Sequence, residues 1–257
     1  MKNAPIEMDG DLVLSLAASV STVINDSDEC FEHYIDIKDE EVRGKAAKAC
    51  RRTILHDFIE AVCCEQLTYL MLKHFDLEVI EEMKKWMDYL GAKYETRTPE
   101  ADDELEHYAD DMQSLFNEKA LPIISNAVFS VLFQDKDFCY KFNLKIAEQI
   151  KQLKKTEYPD ILKEDGYMKR STLPTWLKDG VYYRDKGRCQ SCGTDLTKMF
   201  VIDNAINYDH IIPLHQGGSN DPTNYQLMCE HCNKSKNDRS HEYRNIIWPV
   251  WPDDSEE

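Results

Sequence analysis

Four of the nine cysteines stand as two C-x-x-C pairs, Cys189/Cys192 and Cys229/Cys232, with 36 residues between them. Each pair can close a tight knuckle, and two knuckles brought together offer the four thiolates of a tetrahedral structural Zn²⁺ site. The competing reading is two redox-active dithiols, but no thioredoxin-like βαβ pattern surrounds either pair. Between the pairs lies the run Tyr208-Asp209-His210-Ile211-Ile212-Pro213-Leu214-His215-Gln216-Gly217-Gly218, then Asn224; Asn233 directly follows the last cysteine. An Asp-His dipeptide on a strand sends its two side chains to opposite faces. One can then ligate a metal while the other moves a proton, a task that suits an imidazole of ordinary pKa at neutral pH. The carbonyl oxygen of an Asn is a ligand for hard cations such as Mg²⁺ or Mn²⁺.

Taken in order, Arg184-Asp185-Lys186-Gly187-Arg188-Cys189, Cys192-Gly193, Asp209-His210, Pro213, Gly217-Gly218, Asn224 and the Cys229–Lys236 run resemble the HNH nuclease family. The resemblance covers about residues 170–240. It implies a ββα-metal fold, a DNA substrate, and cleavage leaving 3′-hydroxyl and 5′-phosphate ends. It implies further that Asp209 holds the catalytic metal, that His210 is the general base, and that Asn224 braces the loop that orients it. Such chemistry needs an activated water, a cation against the phosphate charge and help for the leaving oxygen. Where the family name expects a second His the chain has Asn233, an H-N-N version similar to that of CRISPR effector nucleases that nick one strand. Arg184, Arg188, Lys234, Lys236 and Arg239 are candidate phosphate contacts, acting by charge rather than by base reading; the alternative for each is a solvated face. His215 is expected as a plain loop residue and His231 as a surface turn residue.

These residues must be positioned by a chain of 257 residues. Before residue 165 the pattern is helical, with segments expected at 11–25, from about 42 to Phe75, and at 77–90, 99–116, 121–133 and 136–155. A short helix opens at Pro174, and short apolar runs with turn residues follow Gly187. The fold class is α+β: an acidic all-α domain over 1–155, a connector over 156–171, an HNH domain over 172–245, and an apolar then acidic tail over 246–257. His33, His56, His74 and His107 show no ligand-like clustering. His107-x-x-Asp110-Asp111 reads as a solvated helix face, and Cys63-Cys64 as small buried groups. Trp248 and Trp251 either pack back on a domain or dock a partner.

The net charge of −17 argues at first against a nucleic-acid partner. Divided at residue 165, however, it separates into 35 acidic and 20 basic side chains before and 13 and 11 after. The acidic part suits a basic protein partner, self-association or restraint of the nuclease. The odd cysteine count argues against a disulfide framework, and no run is long enough to span a membrane; a cytoplasmic location is expected. The reading that follows is a metal-dependent endonuclease, in the setting of bacterial or phage defence. The alternative is a non-catalytic, zinc-stabilised nucleic-acid-binding or adaptor protein acting through its helical domain.

Overall fold

The computed structural model describes residues 10–26, 31–74, 77–99, 102–197 and 205–236. Arg239, Trp248 and Trp251 lie outside them. The order is α1 (Gly10–Asn25), α2 (Phe31–Tyr34), α3 (Glu40–Ala47), α4 (Ile54–His74), α5 (Leu77–Tyr89), α6 (Asp102–Lys119), α7 (Leu121–Leu132) and α8 (Lys136–Ile150). Then come β1 (Leu162–Glu164), β2 (Tyr167–Met168), α9 (Thr175–Arg184), β3 (Ile206–His210), β4 (Tyr225–Cys229) and α10 (Glu230–Lys236), with two 3₁₀ turns between β3 and β4. The fold is α+β: a mostly helical N-terminal region and two small antiparallel sheets, β1-β2 and β3-β4.

Two compact units make up the chain. The first takes in residues 1–35 and 55–132, the second residues 36–54 and 133–257. Within the first, α1 buries Val13, Ala17, Val20 and Ile24, one stripe at helical spacing. Helix α7 answers with Leu121, Ile124, Val128 and Leu132. His56 belongs to this core, its ring stacked 4.1 Å from that of Phe129 and its Nε2 3.1 Å from Asn126 Oδ1. Cys63 is buried there too, and burial pushes its thiol up to about 12.

The second unit recruits α3 and α8, which the sequence pattern groups with the other helices. Amphipathic periodicity shows that a helix has a buried face, but not which core that face joins. The division also relocates the charge. The first unit's sequence holds 24 acidic and 7 basic side chains; the second holds 24 of each. The whole of the −17 therefore belongs to one unit.

Between residues 42 and 75 the sequence predicts one continuous helix, and the structure has two. Asp39 caps α3 by accepting from Glu41 N and Val42 N, but Lys48 is extended and ends it. Helix α4 starts anew at Ile54, whose N–H donates to Asp221 Oδ2 at 2.9 Å. That capping carboxylate lies 167 residues away, so no local pattern could reveal it.

The stretch read as a connector holds the β1-β2 hairpin. Gly166 makes its turn at φ 65°, where an added Cβ would sit 2.9 Å from Lys151 Cα. Its N–H donates to Leu153 O at 3.0 Å, pinning the hairpin to the chain just past α8.

Candidate functional site

Strands β3 and β4 pair in register, Asp209 opposite Gln226 and His210 opposite Tyr225, and β4 runs directly into α10. This is a ββα unit. Alternation turns the Asp209 and His210 side chains to opposite faces of the ribbon.

Cys189 and Cys192 lie on the first knuckle, Cys229 at the end of β4 and Cys232 in α10. Their four Sγ atoms all lie within 4.8 Å of one another. Cys192 and Cys229 are 3.8 Å apart, the edge of about 3.8 Å that a tetrahedron of roughly 2.3 Å Zn–S bonds requires. Local hydrogen bonds shape the knuckles: Gly193 N donates to Cys189 O and Cys189 N to Thr194 O, both at 2.9 Å. Cys232 N donates to Cys229 Sγ at 3.4 Å. Gln190 N donates to Leu227 O at 2.9 Å, fastening the first knuckle to β4. Burial opposes ionisation of Cys192, but hydrogen bonds from Thr194 and the neighbouring thiols outweigh it and bring the thiol down to about 7. The four cysteines can hold a metal ion, and beneath them Leu196, Leu227 and Met228 form a small apolar core.

His210 is 2% exposed, and its ring lies 4.4 Å from that of Tyr225. Burial, then the charge of Arg170, lower its pKa to about 4 against the opposing influence of Asp209 and Asn220. The ring is therefore neutral at pH 7. Its Nε2 is buried and has no hydrogen-bond partner among the described residues. Buried polar nitrogens are seldom left so.

Asn224 is fully buried. Its Oδ1 accepts from Ile212 N at 2.8 Å, and its Nδ2 donates to Ile212 O at 3.0 Å and Ser219 O at 2.8 Å. Those bonds clamp the loop that leaves His210. Gly218 sits where that loop folds on itself: an added Cβ would lie 1.9 Å from Ile212 O. The Gly217-Gly218 pair is thus a requirement of close backbone approach.

Asp209 Oδ2 accepts from Lys236 Nζ at 2.5 Å and lies 3.5 Å from Gln226 Nε2. Asn233 and Lys236 are three apart on α10 and share a face, which places Asn233 one turn back from the ammonium that meets Asp209. Asn233 is half-buried. The Asp209 carboxylate and the Asn233 carboxamide oxygen are donors of the kind that fit a hard divalent cation.

Two residues read as phosphate contacts are placed otherwise. The Arg184 side chain is 1% exposed and forms a two-pronged pair with Asp185, through Nε at 2.8 Å and Nη2 at 3.2 Å. Its Nη2 also donates to Tyr225 O, Asp185 Oδ2 accepts from Leu227 N at 2.7 Å, and the guanidinium lies over the Phe133 ring. The Arg184-Asp185 pair is an internal clamp on β4, out of reach of a ligand. Lys236 is likewise buried, its ammonium against Asp209 and the His210 carbonyl. Sequence reasoning reads each as a free cation because the partner carboxylate's burial is not visible in a charge pattern. Arg188 and Lys234 are exposed, the first donating to Gly193 O at 3.2 Å and the second pairing with Glu230. His215 is exposed, edge-on to Tyr167, and His231 is exposed.

Sequence reasoning passed over Asn220 and Asp221, both fully buried in the loop. Asn220 Nδ2 donates to Ala47 O at 3.0 Å and Lys169 O at 2.9 Å, while its Oδ1 accepts from Ser171 N at 3.2 Å and Tyr225 Oη at 3.3 Å. A buried Asn bonded to three separate segments carries no local signature. Asn143 Nδ2 of α8 donates to Thr223 Oγ1 at 3.0 Å, so α8 also braces the loop.

The family model described as HNH endonuclease matches residues 189–239, and the helical region before it has no family match. No curated protein and no solved structure matches the chain. The matched segment points to nuclease-type chemistry on a nucleic acid. No helix among the described residues is long and apolar enough to cross a membrane.

Proposed function

Taking the HNH endonuclease match over residues 189–239 as premise, we propose that the chain is a metal-dependent endonuclease hydrolysing phosphodiester bonds of DNA. The observation that carries the reading is the buried, neutral Nε2 of His210, without a hydrogen-bond partner among the described residues and one residue from a carboxylate that faces α10. His210 accepts a proton from water as its oxygen bonds to phosphorus. The P–O3′ bond breaks, and the leaving 3′ oxygen takes a proton from solvent. Asp209 and Asn233 hold Mg²⁺ or Mn²⁺, which when bound offsets charge on the phosphate. Asn224 fixes the loop so that the imidazole stays in place, since a base misplaced by an ångström loses much of its effect. Cys189, Cys192, Cys229 and Cys232 hold structural Zn²⁺, and Arg188, Lys234 and Arg239 contact phosphates.

The first unit carries the full negative charge. We assign it to a basic protein partner or to self-association rather than to DNA, and the biological setting to defence against foreign DNA. The alternative, a non-catalytic zinc-stabilised module, gains no support from the site, where Asp209, His210, Asn224 and Asn233 are all retained. The test is conversion of supercoiled plasmid by the full-length protein with Mg²⁺, Mn²⁺ or EDTA. Metal-dependent nicking with 5′-phosphate ends is expected; no cleavage under any metal would overturn the reading.

A further inference from the structure

Asn220 ties together more than the loop that carries it. It binds Lys169 O through Nδ2 and Ser171 N through Oδ1, so the peptide groups on both sides of Arg170 are fixed to one buried side chain. The same Oδ1 accepts from the hydroxyl of Tyr225, whose ring packs against His210. Arg170 is thereby anchored by its backbone beside the imidazole, while its side chain is exposed. No hydrogen bond or ion pair holds its guanidinium among the described residues. Among the described residues, Arg184 pairs with Asp185, Lys236 with Asp209 and Lys234 with Glu230.

We propose that Arg170 binds the phosphate to be cleaved, presented beside His210 by the Asn220 bridge. The proposal rests on the endonuclease reading and adds to it a residue outside the matched segment, on the stretch that leaves the β1-β2 hairpin. The chemistry suits the side chain. A guanidinium can meet two phosphate oxygens at once with parallel N–H donors, and it keeps its charge at any working pH. The side chain also stands close enough for its charge to act on His210 and Tyr225. An exposed guanidinium at such a place is set to draw in the phosphate. Because the backbone and not the side chain of Arg170 is held, its removal should leave the fold intact.

Full-length Arg170→Ala and Arg170→Lys are compared with the unmodified protein in two assays. The first is plasmid cleavage with Mg²⁺ or Mn²⁺, and the second is binding to a short DNA duplex in EDTA across a salt series. Arg170→Ala should lower kcat/KM by about 100-fold with unchanged zinc content and melting temperature. Arg170→Lys should recover part of that loss. The slope of log affinity against log salt should shrink by about 0.9 for Arg170→Ala, the loss of one phosphate contact. Unaltered cleavage together with an unaltered slope would overturn the role of Arg170 and leave the endonuclease reading standing. If the unmodified protein cuts nothing, that reading falls, and the salt slope still decides whether Arg170 meets phosphate.

Discussion

Lys236 on α10 places its ammonium 2.5 Å from the Asp209 carboxylate on β3, joining the third element of the ββα unit to the strand that carries His210. The Lys236 side chain is 1% exposed and that of Asp209 19%. The bond is therefore partly screened at the carboxylate end and dry at the other. Among the described residues the ion pair engages Asp209 through Oδ2.

Lys236→Met should accordingly destabilise the second unit by about 2–4 kcal/mol, the lower part of the range for breaking a buried pair, because Asp209 keeps some water. Adding Mg²⁺ should recover part of the loss, since a divalent ion answers the carboxylate that the ammonium leaves. Thermal melts with and without Mg²⁺ check this. An equal deficit under both conditions would show that Asp209 is no cation ligand.

Asp221→Ala removes the carboxylate that accepts from Ile54 N, Thr223 N and Thr223 Oγ1. Lost capping and the stranded donors should together cost about 2–3 kcal/mol. Hydrogen exchange should rise at Ile54 and through the Ser219–Asn224 loop, whereas a purely local effect would leave Ile54 protected.

Cys229→Ser or Cys232→Ser should lose stoichiometric Zn²⁺ and unfold the β3-β4-α10 unit, because metal binding is folding free energy at such a site. Metal analysis and the protease sensitivity of residues 189–236 read this directly. Full zinc with unchanged resistance would contradict the four-sulfur assignment.

The His210 pKa sets a pH dependence with a definite sign. Lowered to about 4 in the fold against roughly 6.5 in an unfolded chain, it makes the unfolded state bind more protons between these values. Its contribution is fully present above pH 6.5 and is lost as pH falls toward 4, up to about 3 kcal/mol in all. The slope of stability against pH in this window should flatten in His210→Gln. Titration of the His210 imidazole itself above pH 6 in an NMR experiment on the native protein would refute it.

Much of the site was legible because its signals are local. Two C-x-x-C pairs announce knuckles whatever surrounds them, and Asp209 beside His210 on a strand must face opposite ways. The Gly217-Gly218 pair marks the tight return of the loop. What stayed hidden depends on partners far along the chain. Arg184 and Lys236 look like free cations until Asp185 and Asp209 are seen to be buried with them. The break between α3 and α4 is set by Asp221, and the loop's geometry by Asn220 bonding to Ala47 and Lys169. The same reason blurs the organisation. Helices α3 and α8 carry ordinary amphipathic faces, and only contact shows that they serve the nuclease-like unit. The charge division gains from this: a boundary at residue 165 leaves the second part slightly acidic, whereas the observed units put all of the excess in the first.

The central claim is that His210 takes the proton from the attacking water, and single-turnover plasmid cleavage by His210→Ala under saturating Mg²⁺ or Mn²⁺ tests it most directly. The account predicts a loss of at least about 100-fold with zinc content and β3-β4 structure unchanged. Cleavage within a few-fold of the unmodified protein would contradict it.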